Sequence, residues 1–112
     1  MGPGGTVVAA ASEPGRVVTN GMSQYSRNER NANSGFVVAI DPARDYPGDP
    51  LAGIAFQRHW ESLAFVAGGS SYKAPAQRVG DFRDGRASTS LGSVMPPYRP
   101  GVLPTDLARC LP

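Results

Sequence analysis

DPLAGIAFQRHWESLAFVAGG, residues 49–69, decides the fold class of this 112-residue chain. Asp49 is a natural N-cap and Pro50 suits a first helical position, where its missing N–H costs nothing. Behind them Phe56, Trp60, Leu63, Ala64 and Ala67 recur at helical spacing, and Leu51 and Ile54 lie on the adjoining turn. Gln57, Arg58, Glu61 and Ser62 take the other side. The pattern predicts an amphipathic helix over about 51–67, ended by Gly68-Gly69.

Upstream the periodicity changes. Thr6-Val7-Val8-Ala9-Ala10-Ala11 and Arg16-Val17-Val18-Thr19 are short β-type runs joined by Ser12-Glu13-Pro14-Gly15, which predicts a hairpin. Pro14 presets φ and Gly15 supplies the positive φ that a type II turn needs next. Asn20-Gly21 reads as a second turn and Ser23–Asn33 as a polar loop. Phe36-Val37-Val38-Ala39-Ile40 is an unbroken apolar run, expected to form a strand buried on both faces. A hairpin followed by a helix makes the class α+β: short antiparallel strands in the first 40 residues, then a long helix and shorter ones with Gly/Pro-rich connections.

Three Pro and three Asp mark Asp41–Pro50 as a linker between a β-rich part, 1–41, and a helical part, 49–112. A second helix is expected from Pro75 to Asp84 with Gly85 as its stop. Ser88–Pro104 reads as extended, and Thr105–Leu111 as a last helix capped by Thr105. The sequence opens at the edge of a strand and stops inside a helix, the pattern of an incomplete domain.

Composition excludes several function classes. The 14 Gly and 11 Pro are about 22% of the chain against a usual ~12%, so much of it is turn and loop. A net charge of +2 gives no basic stripe, so neither nucleic acid nor an anionic membrane is an expected partner. No apolar run approaches a membrane span and the N-terminus lacks the pattern of a secretory signal, which makes the cytoplasm the expected compartment. One cysteine, Cys110, and one histidine, His59, leave no disulfide and no zinc set. Asp41, Asp45 and Asp49 are spaced by four, but the intervening prolines prevent one helix from aligning them, and no metal site is expected.

No catalytic constellation emerges. A Ser/His/Asp set would require His59 to leave its helix face, and Cys110 reads as a small buried hydrophobe. Met1-Gly2-Pro3-Gly4-Gly5 precedes a strand rather than a helix, so it is not a dinucleotide fingerprint. What remains is a concentration of turn and amide groups at Asn20-Gly21-Met22-Ser23, Asn31-Ala32-Asn33-Ser34 and Ala74-Pro75-Ala76-Gln77. Such groups orient a polar ligand or satisfy loop backbone.

At these loops the sequence resembles a known family. Met1–Gly5 with Val7-Val8, Ala10-Ala11-Ser12-Glu13-Pro14-Gly15, Val17-Val18-Thr19-Asn20-Gly21-Met22-Ser23 and Asn31-Ala32-Asn33-Ser34 are similar to the C-terminal part of an uncharacterised family of FAD-dependent (NAD(FAD)-utilising) dehydrogenases of bacteria and plastids. So are Pro50-Leu51-Ala52-Gly53-Ile54, Tyr72-Lys73-Ala74-Pro75-Ala76-Gln77, Val79-Gly80-Asp81-Phe82 and Tyr98-Arg99-Pro100-Gly101-Val102. The resemblance implies a fragment of an FAD-dependent oxidoreductase, a section that caps flavin and substrate. The dinucleotide fingerprint would lie elsewhere in the polypeptide and the chain would be inactive alone. Its expected partners are the remainder of the flavoprotein and a small-molecule substrate.

Gly4, Gly5, Asn20, Gly21, Met22, Ser23, Asn31 and Asn33 are the residues expected to face that pocket. Gly2 stands where the family usually has a cysteine, and Arg83-Asp84 where it tends to have an apolar and a small residue. If that thiol has a redox role, this copy is expected to lack it, and the second helix is expected to pack differently. The competing reading is a small protein- or RNA-binding module using exposed Tyr25, Arg27, Arg30, Tyr98 and Arg99, or a truncated product without function.

Overall fold

The computed structural model describes every residue except Met1, Ser12, Gln24, Glu29, Ser34 and Gly35. The sequence readings that include those six therefore extend outside the described residues at those points. The architecture is α+β. In chain order the elements are β1 (Gly2–Pro3), β2 (Gly5–Ala9), β3 (Thr19–Ser23), β4 (Ala32–Asn33), α1 (Pro42–Asp45), α2 (Ala52–Ala67), β5 (Ala74–Ala76), α3 (Val79–Arg83), β6 (Val102–Pro104) and a 3₁₀ turn at Leu107–Arg109.

The hairpin forms with its second strand displaced. β2 pairs antiparallel with β3 from Gly5↔Ser23 to Ala9↔Thr19, and Ala10 N–H extends the ladder to the Val18 carbonyl. Pro14-Gly15 reverses the chain, with Gly15 at φ +70°. Val17 leaves the ladder: its side chain is buried and its N–H donates to the Glu61 carbonyl of α2. Asn20-Gly21, read as a turn, is instead strand opposite Val8 and Val7. With the reversal made at Pro14-Gly15, this second turn dipeptide is drawn into the ladder.

α2 stops as its sequence dictates. Its N-cap, however, falls at Leu51 with no side-chain cap bond, two residues beyond the Asp49 expected, because Asp49 and Pro50 are used in the turn that precedes it. Asp49 Oδ1 accepts from the Leu51 N–H at 2.7 Å and its carbonyl accepts from Ala52, which fixes that turn. At the other end Gly69 (φ +86°) donates to Val66 and Ser70 to Phe65, a Schellman motif. Tyr46, Phe56 and Trp60 make a ring stack along one side of the helix, with centroids 5.2 and 6.1 Å apart. The linker contains the unpredicted α1, capped by Asp41 on Ala43 N–H, while Asp45 accepts from Asp41 N–H in return. Arg44 and that Asp41 amide hold the Asp45 carboxyl below its ordinary range. The three evenly spaced aspartates therefore serve helix starts.

The helix expected over Pro75–Asp84 is confined to α3, because Ala74–Ala76 is a strand. β5 and β6 pair parallel, Ala74↔Val102 to Ala76↔Pro104. Ala74 N–H donates to Gly101 and the Ala76 carbonyl accepts from Thr105. In a parallel ladder alternate residues bond one neighbour, so Pro75 and Pro104 fall where no N–H is needed. Gly85, at φ +73°, ends α3 through a second Schellman motif to Phe82 and Asp81. Thr105 is taken into the ladder's end, so Asp106 caps the final turn in its place, accepting from Ala108 N–H.

Asp81 ties α3 to this region. Its carboxylate accepts from the buried Ser88 hydroxyl at 2.7 Å and from Arg86 Nε at 2.9 Å. The Ser88 hydroxyl, then Arg86, hold its pKa below the ordinary carboxylate value. A depressed native pKa stabilises the fold at neutral pH, and that contribution disappears as pH falls through the native value. Asp81→Asn is expected to flatten the loss of Tm on acidification below about pH 4, where carboxylates protonate. An acid limb identical to that of the unsubstituted chain contradicts this.

The core is small. Val17, Ala74 and Tyr98 form its centre, with Val7, Ala64, Phe65 and Val102 packed against them. Among the described residues no large side chain is fully buried. Phe36–Ile40 forms no strand, and Phe36 and Val37 are each 94% exposed, contrary to the buried strand expected. The described residues supply no neighbouring strand for it. The radius of gyration, 15.0 Å, exceeds the roughly 13 Å of a compact chain this long. Among the described residues no helix is long and apolar enough to cross a membrane.

Candidate functional site

Two short ladders meet at one end of the hairpin. β1 pairs antiparallel with β4, Gly2↔Asn33 and Pro3↔Ala32, and Gly5 N–H, at the start of β2, donates to the Asn31 carbonyl. Gly4 makes the bend between β1 and β2 at φ +70° and is buried against the backbone of Arg27, itself at φ +55°. Gly4, Gly5, Ser23, Asn31 and Asn33 are thereby brought together.

Asn20 lies three residues along β3 from Ser23, about 10 Å at the strand rise. Alternation divides β3 as well. Gly21 and Ser23 share the face of Val7, which packs on the core, whereas Asn20 and Met22 share the outer face with Val8. All five residues of β3 are exposed. Asn31 spends part of its amide on structure, donating Nδ2–H to the Met95 carbonyl at 3.2 Å, and the Thr6 hydroxyl donates to the Met22 carbonyl.

None of these eight residues lines the principal clefts. One cleft, about 510 Å³, is lined by residues that include Glu13, Arg16, Tyr72, Tyr98, Arg99 and Pro100. The Tyr72 hydroxyl accepts from Gly15 N–H at 3.0 Å and its carbonyl accepts from the Tyr98 hydroxyl at 3.0 Å. Its ring meets Phe65 edge-on at 4.8 Å. Sequence reasoning passed over this cleft, although Tyr72–Gln77 and Tyr98–Val102 were among the words carrying the family resemblance. Tyr98, expected to be exposed, is 5% exposed because ring and hydroxyl are both used inside.

The remaining reactive groups are quiet. Burial pushes the Cys110 thiol up, which disfavours the nucleophilic thiolate, and its Sγ–H donates to the Leu107 carbonyl. His59 is exposed and touches Trp60 edge-on at 5.1 Å. Among the described residues no group of three or more His, Cys, Asp or Glu is placed to hold a metal ion.

The diphosphate of FAD does not fit these glycines. A dinucleotide loop runs from a strand into a helix whose N-terminal N–H groups meet the phosphates. Gly4-Gly5 runs from strand to strand, and Gly5 N–H is spent on Asn31.

Residues 1–112 match the family model described as "FAD-dependent protein, C-terminal domain-like". A protein of Clostridium beijerinckii described only as uncharacterized is 57% identical over 113 residues, covering 100% of this chain. The chain spans 21% of that relative's length. With a family match over its whole length, the chain belongs to the FAD-dependent protein, C-terminal domain-like family.

Proposed function

We propose that this chain is the substrate- and flavin-capping section of an FAD-dependent oxidoreductase. The main cofactor contacts then lie in other parts of the polypeptide. In this reading Asn20 and Met22, on the outer face of β3, meet the flavin, while Gly4, Gly5, Ser23, Asn31 and Asn33, clustered at the end of the hairpin, border the substrate and Gly21 lies on the core-side face; the rest of the enzyme completes the pocket. The glycines give a ligand close access to backbone, and the amides and the serine hydroxyl orient it. Bound flavin supplies the redox chemistry, and this section excludes water from it and positions the substrate.

The observation that carries the reading is the unspent apolar surface. Phe36 and Val37 at 94% exposure, with Val79 at 78% and Leu51 at 67%, stand in water around a core of few residues. Apolar exposure on this scale, spread over several elements around so small a core, is what a section covered by further chain leaves. Family membership and the greater length of the relative make further flavoprotein chain the natural cover. The alternative of a protein- or RNA-binding module is weakened by Tyr98, whose ring and hydroxyl are unavailable to a partner.

Titrating residues 1–112 with FAD tests the assignment of the cofactor contacts. The expected result is no saturable binding at micromolar flavin, against stoichiometric flavin in the complete polypeptide. Micromolar binding by residues 1–112 alone would overturn it.

A further inference from the structure

We propose that the cleft between the Pro14-Gly15 turn and Tyr98–Pro100 binds a small organic carboxylate with an apolar body. The inference goes beyond the flavoprotein reading and does not depend on it.

The first observation is an arginine with donors to spare on the lining of an open cleft. Arg16 Nη1–H donates to the Gly15 carbonyl at 3.3 Å, yet its enclosed Nε–H has no hydrogen-bond acceptor. The nearest carboxylate oxygen, Glu13 Oε2, stands at 3.8 Å, too far for a hydrogen bond. Glu13 turns its other oxygen to Arg58 Nη2 at 3.0 Å, so its charge is shared. Nε itself has no accessible surface, so an anion in the cleft meets the partly exposed remainder of the Arg16 side chain.

The second observation is a second guanidinium on the same cleft. Arg99 is exposed, lines the cleft, and no hydrogen bond or ion pair joins it to another described residue. Two arginines against one glutamate leave the lining positive. A planar carboxylate is the ligand whose paired oxygens match a guanidinium fork.

The third observation concerns the walls. Tyr72 is held at φ +63°, a left-handed conformation unusual for a bulky side chain, by Gly15 N–H on its hydroxyl and the Tyr98 hydroxyl on its carbonyl. This fixes an aromatic side chain in a lining that also includes Pro14, Val17, Val18 and Pro100. The cleft's 510 Å³ suits a small ligand with an apolar or aromatic body.

Benzoate is the probe, with benzamide as its neutral isostere and inorganic phosphate as an anion without an apolar body. Binding is measured by equilibrium dialysis on the complete natural polypeptide. Benzoate is expected to bind at least about tenfold more tightly than either control, and Arg16→Gln or Arg99→Gln to weaken it about as much, the scale of a charged hydrogen bond. Arg109→Gln, an exposed arginine away from the cleft, leaves affinity unchanged. Glu13→Gln removes the competing carboxylate and tightens benzoate, a gain that misfolding does not produce. The proposal is overturned if benzoate does not bind at millimolar concentration or a control matches it. It also fails if benzoate binding survives both arginine substitutions, or if Glu13→Gln weakens it.

Discussion

Gly68→Ala is expected to destabilise the chain by about 3 kcal/mol, lowering Tm by roughly 10 °C or more. Gly68 follows the last residue of α2 with φ −82°, which any residue adopts, so the effect does not come from backbone strain. It comes from space. A Cβ there would sit 1.9 Å from the Lys73 carbonyl oxygen and 3.0 Å from its carbon. Lys73 directly precedes β5, whose Ala74 belongs to the buried centre, so the backbone cannot retreat without moving the β5–β6 pair off α2. Gly80→Ala is the control: nothing lies within 4 Å of its added carbon. Inside α3 it should stabilise by about 0.5–1 kcal/mol. Thermal unfolding of the two variants measures both; equal and small shifts would contradict the packing account.

Gly4→Ala is expected to cost a similar amount, about 3 kcal/mol, from two sources that add. At φ +70° an alanine pays for the left-handed conformation, and its Cβ would lie 2.4 Å from Arg27 Cα and 2.5 Å from Arg27 C. The local result should be larger than the global one, because Gly4 is the bend that places Gly5 N–H on Asn31 and β1 against β4. Amide exchange at Gly5 is expected to lose its protection in the variant while the Ala74 amide, bonded to Gly101, keeps most of its own. Retained protection at Gly5 would mean that the bend does not depend on glycine.

How much of this was legible in the sequence follows from how local each signal was. The helix over 51–67 and its Gly68-Gly69 stop were readable because apolar stripe and Schellman glycine lie within one segment. Gly85 as the end of α3 was legible for the same reason. The parallel β5–β6 pair was not, since its partners are 28 residues apart and each carries a proline, a residue that argues against a central strand. The apolar run Phe36–Ile40 has strand composition, but composition cannot say whether a neighbour exists to pair with it. In the candidate site Gly4, Gly5, Ser23, Asn31 and Asn33 were singled out from amide and glycine content and family resemblance, whereas the ladders that bring them together had no local signal, since Asn20-Gly21 reads as a turn and is strand. The Arg16–Tyr72–Arg99 cleft depends on a left-handed tyrosine and on contacts spanning more than fifty residues, neither of which has a local sequence signature.

The central claim, that the outer face of β3 meets the flavin, is tested most directly by Met22→Trp in the complete flavin-loaded polypeptide, read as flavin fluorescence. An indole stacked near an isoalloxazine ring quenches it, so the account predicts that emission falls to a small fraction of the native value with flavin content unchanged. Val79→Trp, on α3 and 78% exposed, should leave emission as it was. Native emission in Met22→Trp, or equal quenching from position 79, would contradict the claim.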